Sequence, residues 1–191
     1  VSPRWHTAGI MDSEAFRAGE WWRLFTAVML HGDAGHLMAN ITTGFLLLGL
    51  AMARFGGGVT LLATFLAGVL GNIAGLLIYS GPYRALGASG MMMGALGLLA
   101  AQSVADWRAN PRAARAVLAS LIAGIMLFLL FGASPTSDLV GHVVGFLAGT
   151  VGGAALSHLP EATLHRARTR GLALAALMLA VLLPWLLAWR T

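Results

Sequence analysis

Three short stretches of an otherwise apolar sequence carry side chains that could do chemistry. Ser89 stands in GASG with nothing bulky beside its hydroxyl, and His142 stands in GHVVGFLAG. His36 and Asn40 lie four residues apart in HGDAGHLMAN, so on a helix they share one face and could direct their donors to a common point. A hydroxyl, an imidazole and nearby hydrogen-bond donors are the parts of an acyl-transfer site: nucleophile, general base and oxyanion hole.

The composition indicates where such a site would lie. Of the 191 residues, 58% are hydrophobic and only 10% are charged, whereas about a quarter of a soluble domain is charged. We therefore predict one membrane domain rather than a water-soluble globule. All twelve basic residues are arginine, and the net charge of +5 indicates membrane topology rather than nucleic-acid binding. The absence of cysteine excludes disulfides, thiolate metal sites and a cysteine nucleophile.

Six segments are apolar over roughly the twenty residues that a membrane-spanning helix needs. They cover about residues 35–53, 58–80, 86–106, 114–132, 138–157 and 171–189. The predicted fold is an all-α, polytopic membrane helical bundle with six transmembrane helices. We divide it into an outer-side loop region (1–34), a catalytic membrane core (35–157), and a basic cytoplasmic loop with the last helix (158–191).

The arginines predict the orientation of these segments. The loops after the first, third and fifth segments hold seven arginines, and the second and fourth loops hold only Arg84. The positive-inside rule places the arginine-rich loops in the cytoplasm, so those three segments run from outside to inside. Ser89, His142 and the His36–Asn40 pair then lie at one depth near the outer face. Ionisable groups at membrane depth are costly, and this favours a functional role.

Glycines stand beside the candidate serine and histidine. Gly145 and Gly149 follow the histidine by three and seven residues, so on a helix they form a glycine stripe on the histidine's face. Gly90 on the third segment could pack against this stripe, which would let the two helices approach closely. Such a crossing is what a serine–histidine hydrogen bond requires. Gly87 and Gly90 also leave space for a substrate backbone. An acidic residue that would orient His142 is missing, because Asp138, one turn before it, could at most influence its orientation. We therefore predict a catalytic dyad of two residues.

These stretches resemble the rhomboid family of intramembrane serine proteases. GEWWRLFTAVMLHGDAGHLMAN, GASG and GHVVGFLAG follow each other in the family's order over residues 19–149. The resemblance implies Ser89 as nucleophile and His142 as general base and acid. It also implies an oxyanion hole formed by His36, Asn40 and the backbone N–H of the serine.

The resemblance extends to the outer loop, with one departure. His31 matches the family's first histidine, which implies a supporting role, and Trp22 and Arg23 match the loop that dips into the membrane beside the site. The family has an additional helix before this loop, and the sequence, which begins at Val1, leaves open whether such a helix precedes it. The sequence carries instead a last segment at 171–189, beyond the core.

The implied function is a serine endopeptidase that cleaves membrane-spanning segments without a metal or another cofactor. Its expected partners are single-span membrane-protein substrates and the lipid bilayer, with no nucleic acid, and its oligomeric state is left open. The expected location is a bacterial inner membrane, with the active site near the outer face. Because backbone amides in hydrocarbon keep their helical hydrogen bonds, a substrate must unwind locally before attack.

Other interpretations remain open. Taken singly, Ser89 could be a capping or packing residue, His142 could be bonded to a carbonyl, and His36 with Asn40 could link two helices. Their coincidence favours a site. One alternative is a catalytically inactive relative that binds membrane helices. A metal-dependent protein would use His31, His36 and His142, although the His-Glu-x-x-His pattern is absent. A small transporter would be expected to show inverted repeats, and none is visible.

Overall fold

The structure is a computed structural model that describes residues 4–110, 122, 126 and 138–190. The helices are α1 (Arg4–Gly9), α2 (Ser13–Arg17), α3 (Arg23–Thr26), α4 (Ala34–Phe55), α5 (Gly57–Ile78), α6 (Ser89–Ala109), α7 (Leu139–Ser157), α8 (Glu161–Leu164) and α9 (Ala167–Ala188). A 3₁₀ turn covers Ala27–Met29, and two short strands, β1 (Met11–Asp12) and β2 (Arg84–Ala85), pair antiparallel.

Four helices in the described part of the chain are long and apolar enough to cross a membrane, namely α4, α5, α7 and α9. This confirms the predicted helical membrane bundle. Helix α6 has 21 residues, but polar side chains at Gln102 and Asp106 lower its apolar character. The predicted segment 114–132 lies outside the described residues apart from Ile122 and Met126, which are helical. The count of six spans therefore stays a prediction.

Helix α6 lies at the centre and packs against α4, α5 and α7. The apolar side chains of its first half are buried, as at Met93, Ala95 and Leu98, as expected where other helices surround it. The predicted third segment began at residue 86, but the helix begins at Ser89. Gly87 has a φ of +125°, outside the helical region, and only the residues after it continue the helix.

The crossing of α6 and α7 is close because glycines of the two helices face each other. A methyl group added at Gly145 would lie 2.6 Å from the carbonyl oxygen of Gly90, and one added at Gly149 would overlap the carbonyl oxygen of Gly94. Such distances leave no room for a side chain at either position. The stripe predicted from the sequence therefore forms the contact surface between these two helices.

The outer region before α4 folds into short elements instead of an open loop. Arg23 is buried, and its guanidinium donates hydrogen bonds to the carbonyl oxygens of Thr7 (2.8 Å) and Ile10 (2.7 Å) and pairs with Glu20 at 2.6 Å. These contacts compensate the burial of the charge. Helices this short are not stable alone, so contacts of this kind must hold them in place. The hydrophobic pattern of the sequence does not reveal such contacts.

Helix α9 supports both the core and this outer region. Near its start, a methyl group added at Gly58 of α5 would lie 2.7 Å from the carbonyl oxygen of Arg170. Near its end, a methyl group added at Gly9 would lie 2.8 Å from the Trp185 ring. The last segment predicted from the sequence is therefore packed against α5 and the outer elements.

The glycine contacts predict unequal effects of one substitution at two helix positions. Gly149→Ala should lower the free energy of unfolding by about 1–3 kcal/mol, because the added methyl overlaps the backbone of α6. Gly49→Ala, in α4, meets no atom within 4 Å and should be neutral or raise it by up to about 1 kcal/mol. Thermal unfolding in detergent measures both. Equal stability of the two variants would contradict the close crossing.

Candidate active site

Ser89 is placed by a sharp turn at the start of α6. The N–H of Gly87 donates to the carbonyl oxygen of Ala27 at 2.9 Å, which ties the turn to the outer region. A methyl group added at Gly87 would lie 2.7 Å from the His36 ring and would require a positive φ, so glycine is required at this position. The turn brings the serine hydroxyl to the first residue of the helix with the His36 ring close by.

The structure brings Ser89 and His142 together. The Nε2 atom of His142 and the hydroxyl oxygen of Ser89 are 2.7 Å apart, and His142 is only 3% exposed. The histidine lies in the first turns of α7, on the same side of the helix as Gly145, which contacts α6. This distance is the one expected between a nucleophilic serine and the histidine that activates it.

The predicted oxyanion donors come from the first turns of α4. Asp33 caps this helix by accepting the His36 N–H at 2.8 Å. Asn40 is buried, and its side-chain amide donates to the carbonyl oxygen of His36 at 3.1 Å. An asparagine amide has two N–H donors, so this bond uses only one of them.

One cavity of about 480 Å³ joins these groups. Ser89, His142, His36 and Asn40 all line it. Its volume lies in the range of small-ligand and substrate sites. The other lining side chains are polar at Asp33, Thr43, Arg84 and Asp138 and apolar at Ile10, Ala39, Ala85, Leu86, Met92 and Met93.

The structure gives Asp138, which the sequence predicted could at most orient the histidine, three hydrogen-bond donors. Asp138 caps α7 by accepting the Gly141 N–H at 3.0 Å, and it also lines the cavity. It accepts hydrogen bonds from the hydroxyls of Tyr83 at 2.5 Å and Tyr79 at 3.1 Å. Burial, and then the bond to this carboxylate, raises the pKa of Tyr83. The spacing of Asp138 from the histidine was visible in the sequence, but neither tyrosine was a candidate.

The three remaining sequence candidates lie outside this cavity lining. The His31 ring meets the His36 ring edge-to-face, with 5.1 Å between their centroids. The carbonyl oxygen of His31 accepts a 3.3 Å contact from the His6 ring. Trp22 and Arg23 lie at the start of α3, and Arg23 donates hydrogen bonds to the backbone of the outer region. Burial, and then the charge of His36, lowers the pKa of His31.

The metal-dependent alternative has no centre in the part of the chain that the structure describes. Among residues 4–110 and 138–190, no three His, Cys, Asp or Glu side chains are grouped as metal ligands. The three histidines of that alternative instead have different partners. His31 stacks edge-on against His36, and His142 contacts a serine.

A comparison with known protein families bears on this geometry. The family model of the Rhomboid domain matches residues 18–159. This range includes every residue that lines the cavity except Ile10. The chain belongs to the rhomboid family. The resemblance noted in the sequence is thereby confirmed, and the protein is a multi-pass integral membrane protein.

Individual relatives of this rhomboid chain include named proteases. Rhomboid protease GluP of Bacillus subtilis (strain 168) is 34% identical over 156 residues, which cover 81% of this chain and 29% of that protein. RHOMBOID-like protein 5 of Arabidopsis thaliana is 31% identical over 149 residues, covering 77% of this chain and 48% of that protein. The chain thus spans less than half the length of either relative.

The family also includes a relative described as inactive. Inactive rhomboid protein 2 of Homo sapiens is 27% identical over 174 residues, which cover 87% of this chain and 20% of that protein. No solved structure gives a significant match. Family membership alone therefore does not decide between a protease and an inactive relative.

The lowered pKa of His31 predicts a pH dependence of stability. As the pH falls, His31 is protonated first in the unfolded chain, near the ordinary histidine pKa of 6.5. The free energy of unfolding is therefore highest above that pH, and it decreases as the pH falls from 6.5 through the lower pKa of the folded state. His31→Gln should flatten this loss between pH 7 and pH 5. Thermal unfolding against pH measures it. The exposed His158→Gln should keep the wild-type profile, and an unchanged profile for His31→Gln would contradict the assignment.

Proposed function

We propose that this rhomboid chain is an intramembrane serine endopeptidase that uses Ser89 and His142 as a catalytic dyad. The observation that supports it most strongly is the 2.7 Å contact between the serine hydroxyl and Nε2 of the histidine. A buried imidazole with that partner is poised to accept its proton. Family membership and the Bacillus subtilis relative named as a rhomboid protease give further support.

In the proposed reaction, Ser89 attacks the carbonyl carbon of the scissile peptide while His142 takes the hydroxyl proton. The carbonyl oxygen becomes an oxyanion. His36, Asn40 and the Ser89 N–H would donate hydrogen bonds to it, because all three residues line the same cavity. His142 then returns its proton to the leaving amine, and the peptide bond breaks. A water molecule, activated by the same histidine, releases the acyl group and restores the serine.

The proposed substrates are membrane-spanning segments, in particular those of single-span proteins. The catalytic groups lie at the first turns of α4, α6 and α7 rather than in the middle of these helices. A site at helix ends lets water reach the acyl-enzyme from one face of the membrane. A helical substrate must open its backbone hydrogen bonds before attack, so segments with Gly or Pro near the cleaved bond should be preferred.

The proposed orientation places this site near the outer face of a bacterial inner membrane. The support is the arginine distribution: Arg54 lies in the last turn of α4, and Arg166, Arg168 and Arg170 stand at the start of α9, at the opposite ends of the bundle from Ser89. We also propose the division into an outer region (1–34), a catalytic core (35–157) and a last basic loop with α9 (158–191).

An inactive, helix-binding relative is the second candidate function. The match to the human protein described as inactive favours it. Against it stands the contact between Ser89 and His142, since a binding protein has no need of a buried serine–histidine pair. The experiment that follows separates the two candidates.

Alanine substitutions test the proposed dyad. Ser89→Ala and His142→Ala should each lower cleavage of a single-span reporter protein in liposomes by about 10³-fold or more, because either change removes a group that acts on the reacting atoms. Both proteins should remain folded. Ser157→Ala is the matched control: it removes a hydroxyl that donates to the Gly153 carbonyl at the far end of α7, and cleavage should continue. Wild-type cleavage by both dyad variants would exclude the mechanism.

A further inference from the structure

The carboxylate of Asp138 has more hydrogen-bond partners than a helix cap needs. One oxygen accepts the Gly141 N–H at 3.0 Å and the Tyr79 hydroxyl at 3.1 Å, and the other accepts the Tyr83 hydroxyl at 2.5 Å. A carboxylate oxygen accepts hydrogen bonds, and three donors point at this carboxylate. The group is therefore held in a fixed orientation.

Tyr83, the buried donor, is itself fixed from two sides. The side chain is 5% exposed, and its ring fills the space where Gly75 of α5 has no side chain. Its backbone pairs with Ser13 of the outer region: the Tyr83 N–H donates to the Ser13 hydroxyl at 3.0 Å, and the Ser13 N–H donates to the Tyr83 carbonyl at 2.9 Å. The hydroxyl that holds Asp138 thus extends from a rigid anchor.

Asp138 lies one helical turn before the proposed catalytic histidine. Its carbonyl oxygen accepts the His142 N–H at 3.0 Å, so the two residues share the first turn of α7 and one helix face. Both line the cavities that contain Ser89. A shift of the carboxylate would therefore move the turn that carries the imidazole.

We propose that Asp138 is a positioning residue for the Ser89–His142 pair. Tyr83 holds the carboxylate, the carboxylate fixes the first turn of α7, and its negative charge favours the imidazolium that forms when the serine loses its proton. The charge also lies at the N-terminus of a helix, where an anion is stabilised. The inference rests on the proposed protease function and adds to it a third member that does not touch the reacting atoms.

Asp138→Asn separates the charge from the cap. Asparagine caps a helix as well as aspartate does, so the fold should remain. Removing the charge should lower kcat on the reporter protein by about tenfold, with KM within about twofold and a thermal unfolding temperature near that of the wild type. Tyr83→Phe keeps the ring beside Gly75 and removes one donor, and it should lower kcat by a smaller factor.

The matched control is Asp106→Asn, which makes the same exchange at the opposite end of α6, where the carboxylate accepts from Gln102. It should leave kcat unchanged. A wild-type kcat for Asp138→Asn, or a loss confined to stability or KM, would overturn the positioning role. If Asp138→Asn does not fold, the kcat of Tyr83→Phe decides in its place, and a wild-type value overturns the role.

The failure of this inference can be told apart from the failure of the proposed function by including Ser89→Ala in the same assay. An inactive Ser89→Ala together with a fully active Asp138→Asn rejects only the positioning role. An active Ser89→Ala rejects the dyad and the positioning role that depends on it.

Discussion

The approach of α6 and α7 to backbone contact is the constraint on which the site depends. Ser89 and His142 have short side chains and stand on separate helices, so a 2.7 Å contact between them requires the helix axes to be close. Glycines supply that closeness, since the carbonyl oxygen of Gly90 lies where a side chain of Gly145 would be. In a bilayer, where helices gain little hydrophobic energy from association, such packing is a main source of affinity between them.

A second constraint acts at the helix ends that carry Ser89 and His142. Gly87 leaves no room for a methyl group beside the His36 ring and hydrogen bonds to the outer region, so the serine turn and the proposed oxyanion donor His36 are tied together. Tyr83 and Asp138 tie the outer region to the start of α7. The same elements that close the bundle at this face therefore carry every group of the proposed mechanism, and the chemistry and the fold depend on common contacts.

Much of this arrangement could be predicted from the sequence, because apolar length and glycine spacing are local patterns. They predicted the bounds of α4, α5 and α7 to within a few residues, and the convergence of Ser89 with His142. The folded structure of the outer region could not be predicted, because it depends on long-range hydrogen bonds such as those from Arg23 to backbone carbonyls. The same holds for Tyr83, whose hydroxyl reaches a residue 55 positions away.

Labelling with a fluorophosphonate probe tests the central claim most directly, because it reports on the nucleophile without a substrate. The account predicts that wild-type protein in membranes is modified at Ser89, as located by mass spectrometry of the digested chain. It also predicts that His142→Ala loses the modification while remaining folded, since the serine then lacks its base. Modification of a different serine, or equal labelling of Ser89 without the histidine, would contradict it.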